Sequence, residues 1–597
     1  MKRFLLLVVI AALAAAVLWS FFWRSPHTSS AAITALLPKE TLAFIHLPDL
    51  KRARAELHRS DLYQIWSEPA VQEFLRKPRA KIPGVGFGET FRECESIDMK
   101  DAFAAVISVE SNVWKIVGGF RFKGKPEDAE KIVAGWRAKF IGQLPEPTPT
   151  TVEYEGHSIR TDSVGVVQFS TVSDGQWFLV ANDVEQLKPM LDRLDGRGKD
   201  PKAVLAADEG FAGAFKHMPA SFTALGYARI DHFLEKFMPI AKGSGAAGSS
   251  PTLLGQLHTF CCATAFDGGK IRDTIFVGMP KLIDAGNLTR GSLALGTRDT
   301  FLYAAGFLNL TQQMQLPHSQ MAAGWTGGLQ KFAGAMNSNG VTIEDWKSAF
   351  GSEFGVLGDW PASARLPALL ATLPVKDSAR ANKIVAAITT HGSEAADWTH
   401  QEKNGVHYFS THSGGQFFSF SPTFALSDRM LIAGADEASV EVAMKRSRAN
   451  GGSELAATND FQNSDRSLPT AKQAFGYLNP ALLYARLDAA LRPMLFMSAA
   501  FLPGLADTVD LSKLPAPEVI TKHLSPIGMS QNYDGDGYVT ESIGPVTLYQ
   551  TLVGMAAVVE GAMLLYRNET QQSTIVSASS VAPATSIPSI APPAKTF

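Results

Sequence analysis

A chain of 597 residues exceeds one ordinary core, and its length implies about three to four domains, or two large ones. With 46% hydrophobic and 19% charged residues, the composition is that of a folding body rather than of a disordered chain. Lys plus Arg (55) nearly cancels Asp plus Glu (57), so no basic excess exists to neutralise phosphates, and nucleic acid is excluded as an expected partner.

Lys2 and Arg3 precede an apolar run over residues 4–23, interrupted only by Ser20. At roughly 1.5 Å per residue such a run matches a bilayer core of about 30 Å. The two basic residues ahead of it, against Arg24 alone just after it, orient it as a signal-anchor over residues 1–24 with the remainder exported. Trp19, Phe21, Phe22 and Trp23 supply an aromatic belt at the outer interface. Ser29, Ser30 and Ala31 also offer the small residues of a signal-peptide cleavage site. The length of the apolar run and the bulky aromatics favour the anchor. The expected location is therefore the inner (cytoplasmic) membrane, with the bulk of the chain on the periplasmic side.

Next along the chain, β-rich runs at 104–109 and 114–122 lead into Pro126, Glu127 and Asp128, a helix start. Ala129, Ile132, Val133, Trp136 and Phe140 then follow at helical spacing. Strand patterns follow at 154–159, 164–172 and 176–180, with Ser173, Asp174 and Gly175 as a turn, then a helix over 184–194. This order predicts an α+β fold of mostly antiparallel sheet with helices packed on one side.

The chain repeats itself at a period of roughly 250 to 267 residues. Leu205, Ala206, Ala207, Phe211, Pro219, Gly226 and Tyr227 recur in one register as Leu455, Ala456, Ala457, Phe461, Pro469, Gly476 and Tyr477. Lys131 to Ala134 return as Lys383 to Ala386, and Leu179, Ala181 and Glu185 return as Leu431, Ala433 and Glu437. Phe44 faces Tyr303, Trp66 faces Trp325, and Gly269 faces Gly537. Two tandem diverged copies are expected, over 36–280 and 293–545. Residues 546–566 form a second apolar stretch, either a second span or a helix on the body, because Gln550 and Glu560 interrupt it. Residues 571–597, rich in Ser, Thr, Pro and Ala, read as a disordered tail.

The opening Leu37-Pro38-Lys39-Glu40-Thr41 with Leu47-Pro48-Asp49-Leu50, the Trp66-Ser67-Glu68-Pro69 helix, Tyr154-Glu155-Gly156, and the block from Leu205 to Tyr227 resemble a bacterial family, domain of unknown function 3352. The resemblance covers most of 36–545. It implies an N-terminal export segment, and neither a known reaction nor catalytic residues to carry over.

Several motifs look chemical and fail on context. Gly243, Gly245 and Gly248 spell a dinucleotide fingerprint, but within a Gly, Ser and Ala linker instead of between a strand and a helix. Gly119 to Lys125 resembles a phosphate loop, yet Pro126 stands where a magnesium-binding hydroxyl belongs. Asp534-Gly535-Asp536-Gly537 opens like a calcium loop but lacks the later ligands, and a hairpin turn explains it and Asp267-Gly268-Gly269 alike. His407 and His412 are five residues apart on a β-rich run and face opposite ways. Cys94, Cys261 and Cys262, without a CxxC, read as buried small hydrophobes. No metal or cofactor is therefore expected; no HExxH, GxSxG or SxxK arrangement names a catalytic residue, and a site assembled from distant residues stays open. The expected function is that of a non-enzymatic binding or scaffolding module, holding an envelope protein, lipid or cell-wall ligand in the cleft between the copies. The alternatives are a hydrolase-like enzyme with a dispersed site in one copy, and a periplasmic spacer.

Overall fold

The computed structural model describes residues 30–81, 87–110, 113–140, 148–164, 167–198, 200–233, 235, 256–308, 338, 340–391, 398–411, 413–414, 419–449, 452–499, 509–547 and 550. The run at 4–23, the glycines at 243–248, Trp325, His412, the tail at 571–597 and nearly all of 546–566 lie outside the described residues. Among the described residues no helix is long and apolar enough to cross a membrane. The chain divides into units at 1–547 and 548–597, and all that follows concerns the first.

Twenty strands form one sheet in which every pairing is antiparallel. β1 (Ala43–Asp49) lies between β2 (Lys100–Glu110) and β8 (Ala224–Arg229). From β2 the ladder runs outward through β3 (Val113–Arg121), β7 (Trp177–Ala181), β6 (Val167–Asp174) and β5 (His157–Val164) to β4 (Thr148–Tyr154). From β8 it runs inward through β9 (Thr259–Asp267) to β10 (Lys270–Gly278).

The second half follows the same order. β11 (Thr300–Phe307) lies between β12 (Glu353–Asp359) and β18 (Ala474–Leu478). Outward come β13 (Ala368–Pro374), β17 (Met430–Gly434), β16 (Thr423–Leu426), β15 (Val406–Thr411) and β14 (Trp398–Lys403). Inward, β19 (Ile527–Tyr533) leads to β20 (Gly537–Gly544), and β20 pairs with β10 from Ile271–Gly544 to Gly278–Gly537. The two ten-strand halves thus meet edge to edge.

Helices cover both faces of each half, which corrects the expectation of helices on one side. The strand Trp177–Ala181 is apolar at every position, the pattern of a strand buried on both faces. Leu179 and Ala181 pack with α1 (Ala31–Leu36), α4 (Leu187–Leu194) and α5 (Glu209–Phe215). Phe178 points the other way, into a cluster with α2 (Leu50–Leu57) and α3 (Pro126–Phe140). In the second half, α7 (Glu437–Arg448) and α8 (Asn459–Arg466) serve one cluster and α6 (Ser378–His391) the other.

The repeated sequence block has a packing reason. The Leu205–Ala207 turn leads to α5, where Asp208 accepts a capping bond from the Phe211 amide at 2.8 Å. Phe211 then stacks edge-on against Tyr227 at 5.1 Å and tilts against Phe44 at 5.8 Å. In the second half Thr458 caps the Phe461 amide, and Phe461 meets Tyr477 at 5.1 Å and Tyr303 at 6.3 Å. Each such buried aromatic stabilises by about 1.5–3 kcal/mol. The strand read over 154–159 is instead two strands, because Glu155 (φ 47°) and Gly156 (φ 88°) form a left-handed hairpin turn between β4 and β5. Asn404 and Gly405 do the same between β14 and β15.

At one end of the β10–β20 ladder, a Cβ on Gly537 would lie 2.4 Å from the Val277 carbonyl oxygen and 2.6 Å from the Phe276 ring. Gly537→Ala is expected to lower stability by about 1–3 kcal/mol through forced backbone displacement. Gly452→Ala, facing open space, should change little. Urea midpoints of the two variants check this.

Candidate functional site

The strand β1 reads Ala-Phe-Ile-His-Leu, and the histidine in this apolar run is fully buried. Its Nδ1 lies 2.9 Å from Ser30 Oγ and its Nε2 lies 3.3 Å from Asp101 Oδ1. Asp101 Oδ2 in turn accepts from Arg121 at 2.6 Å. An ionised carboxylate can only accept, so Nε2 carries the proton, and Nδ1 accepts from the Ser30 hydroxyl. Asp101 reaches this position from a left-handed backbone (φ 45°), where the β2–β3 register shifts between Lys100 and Phe103.

These are the residue types of a hydrolase triad, and sequence reading missed all three. The available signal was a titratable side chain inside an alternation of buried strand residues. In the second half the register sets Ala305 on β11 where His46 stands on β1, because His46 pairs with Leu225 and Ala305 with Phe475. Ser30 is only 1% exposed, so the hydroxyl that would be the nucleophile is closed to solvent. The arrangement chemically favours a neutral imidazole. Burial lowers the His46 pKa below its usual value, and the Asp101 hydrogen bond and charge only partly oppose it.

A second polar cluster joins the halves. The Asp534-Gly535-Asp536-Gly537 turn lies between β19 and β20, with Gly535 left-handed at φ 71°. His217 presents Nδ1 to Asp534 at 3.3 Å and Nε2 to Asp536 at 3.1 Å, while its ring stacks on Phe276 at 4.3 Å. Lys216 reaches Asp536 at 2.8 Å. Burial alone would raise the Asp536 carboxyl, but the bonds from Lys216 and His217 outweigh it and hold it below the usual carboxylate range. The carboxylates read as a calcium-loop opening thus face Lys216 and His217 of the first half. Further across the seam, Arg272 bonds Glu541 at 3.1 Å and the Ser467 carbonyl at 2.9 Å, and Glu68 takes His523 at 2.6 Å and Lys522 at 2.7 Å.

The other flagged residues separate. Gly119 lies in the β3 ladder, where a Cβ would meet the Phe178 carbonyl oxygen at 2.5 Å, so close strand packing accounts for that glycine. The three cysteines are free and buried; burial pushes the Cys94 and Cys262 thiols up to about 12 and raises Cys261 as well. His407 Nδ1 meets His400 Nε2 across the β14–β15 hairpin at 3.2 Å, a pair that the reading of His407 with His412 overlooked. His407 also borders an open depression of about 220 Å³ with Ser378, Asn382, Ser427 and Asp428. Among the described residues, His157, Asp174 and Asp195 bring ligand atoms within 4.8 Å of one another. The Asp195 carboxylate is already engaged, by Arg197 at 2.5 Å and by His157 Nε2 at 2.9 Å.

The sign of the pH dependence at His46 follows from its lowered pKa. The unfolded chain takes up a proton near pH 6.5 that the folded chain resists, so stability is full above that pH and falls as the pH drops toward the folded pKa. His46→Asn is expected to lose about 2–4 kcal/mol at neutral pH by stranding Ser30 and Asp101. It should also flatten the acid limb below about pH 6.5. Urea midpoints across pH measure both.

No family model matches the chain, and no curated protein matches it. Among solved structures, crystal form III of TP0453 is similar at 9% identity and a TM-score of 0.24, covering 42% of this chain and 81% of that one. Crystal form IV of TP0453 is similar at 10% identity and a TM-score of 0.22, covering 42% and 83%. At these scores the likeness carries no argument about fold or function.

Proposed function

We propose that this chain is a non-enzymatic envelope scaffold, anchored in the inner membrane by residues 4–23, with 36–280 and 293–545 as duplicated halves that together hold an envelope protein, lipid or cell-wall component. The family of unknown function resembled above belongs to this proposal and rests on its short motifs alone. The observation that carries the scaffold reading is the seam. The halves share a strand order, join through the β10–β20 ladder, and turn His217, Asp534, Asp536, Arg272, Glu541, Glu68 and His523 toward one another. The ladder joins the halves into one platform, and the cross-seam pairs fix how they meet.

Anchoring is favoured over cleavage by the packing of α1. A cut after Ala31 would remove Ser30, the buried partner of His46, and the first residue of a helix whose Ile33 and Leu36 lie in the core. Mass spectrometry of the protein from membranes is expected to find peptides upstream of Ser29. A mature N-terminus at Ala32 would remove the anchor from the proposal.

One observation favours the second reading, a hydrolase: the Ser30, His46 and Asp101 chain in the first half alone. The burial of Ser30 weighs against it. The full chain is expected to release no nitrophenol from ester substrates above the rate of Ser30→Ala. Ester hydrolysis abolished by Ser30→Ala, with the melting temperature unchanged, would replace the scaffold by an enzyme. Affinity purification of the tagged chain from envelope extracts, with lipid analysis, tests the partner directly; recovery of neither protein nor lipid above background counts against the scaffold.

A further inference from the structure

The helix α9 (Pro480–Ala499) leaves β18 apolar in composition and ends exposed. Leu487, Leu491, Met494, Phe496 and Met497 are 37% to 62% exposed, although each is a large hydrophobic side chain. It is held to the body as far as Arg492: Arg486 donates to the Trp360 carbonyl at 2.9 Å, and Arg492 pairs with Asp488 at 2.7 Å and reaches the Pro515 carbonyl at 2.5 Å. Beyond Arg492 nothing in the sequence is charged until Asp507.

Direction identifies the kind of partner. At about 100° per residue, Phe496, Met497, Met494 and Leu491 span an arc of about 220°, and Arg492, bonded to Asp488 and Pro515, points into the remaining gap of about 140°. A protein groove takes one apolar stripe of about 100°, whereas an apolar arc about twice as wide, with its polar side turned to the body, suits the surface of a lipid layer. The uncharged run between Arg492 and Asp507 is too short to cross a bilayer, which needs about 20 residues, so the exposed end of α9 can insert only shallowly.

We propose that the C-terminal end of α9, from Leu491 to Met497, inserts into the lipid surface of a membrane and gives the body a contact point of its own. The contact is independent of the run at 4–23, because it rests only on residues of the folded body. The burial of all three native cysteines makes site-specific labelling selective.

In the test, the full chain carries a bimane dye on Met497→Cys or, as control, on Val113→Cys, an apolar position 59% exposed elsewhere on the sheet. The protein is bound to vesicles of phosphatidylethanolamine and phosphatidylglycerol containing doxyl-labelled lipid. Quenching at 497 is expected to exceed that at 113 several-fold, and Met494→Asp with Phe496→Asp should remove the excess while leaving the melting temperature unchanged. A tethered body without this contact would quench both positions equally, and that result overturns the proposal. So does a dye at 497 whose shielding follows protein concentration and ignores the doxyl lipid, the outcome for a second copy or another protein as partner. The excess at 497 is read against the control, so loss of the N-terminal anchor would lower both signals and leave the comparison intact.

Discussion

The backbone ladder between β10 and β20 is the constraint on which the rest depends. Each ten-strand half ends in a strand whose outer N–H and C=O groups would otherwise form a bare edge, an open template for aggregation. Pairing the two edges from Ile271–Gly544 to Gly278–Gly537 satisfies both rows at once. The register is marked by a polar centre: Asp273 on β10 lies opposite Ser542 on β20, and accepts from Thr264 at 2.6 Å and from Thr547 at 2.5 Å. Burial raises the Asp273 carboxyl despite those bonds. A slip by one residue would set Asp273 against Glu541 or Ile543, so charge repulsion or a lost partner penalises each neighbouring register.

What the halves share and where they differ follow separate physical demands. Phe44, Phe211 and Tyr227 in the first half, and Tyr303, Phe461 and Tyr477 in the second, fill equivalent volumes beneath a capped helix. Volume must be conserved for the sheet to be covered, so these positions tolerate little more than Phe for Tyr. His46 against Ala305 is of the other kind. A buried imidazole is tolerated only because Ser30 and Asp101 are there to bond it, and removing it from one half removes the need for both partners.

Much of this architecture is legible in the sequence because its signals are local. The α3 start at Pro126 and the apolar spacing through Ala129 and Val133 translate directly into elements, and the turn read at Ser173-Asp174-Gly175 falls at Gly175-Gln176, with Ser173 and Asp174 paired in β6. The Glu155-Gly156 turn is missed because a β-rich run on both sides hides it, and only the left-handed backbone reveals the reversal. Coverage of both sheet faces was there to be read in the unbroken apolar run of β7, which single-face alternation cannot produce. The polar sites are different in kind. Ser30 and His46 are set by α1 folding back onto β1, and His217 meets Asp534 and Asp536 across a sequence separation of more than 300 residues. No spacing rule reaches such pairs, because the β10–β20 ladder that brings them together has no local motif.

The seam also bears on how the body must behave as a whole. Ion pairs such as Lys216 with Asp536 are partly exposed and contribute little singly, and salt screens them. The backbone ladder and the buried Asp273 centre are not screened in that way, so the strength of the join resides in the sheet. One half cannot open without exposing the β10 or β20 edge of the other, together with Phe276 and Ile275 on β10. That exposure couples the two halves into one cooperative unit despite their separate cores.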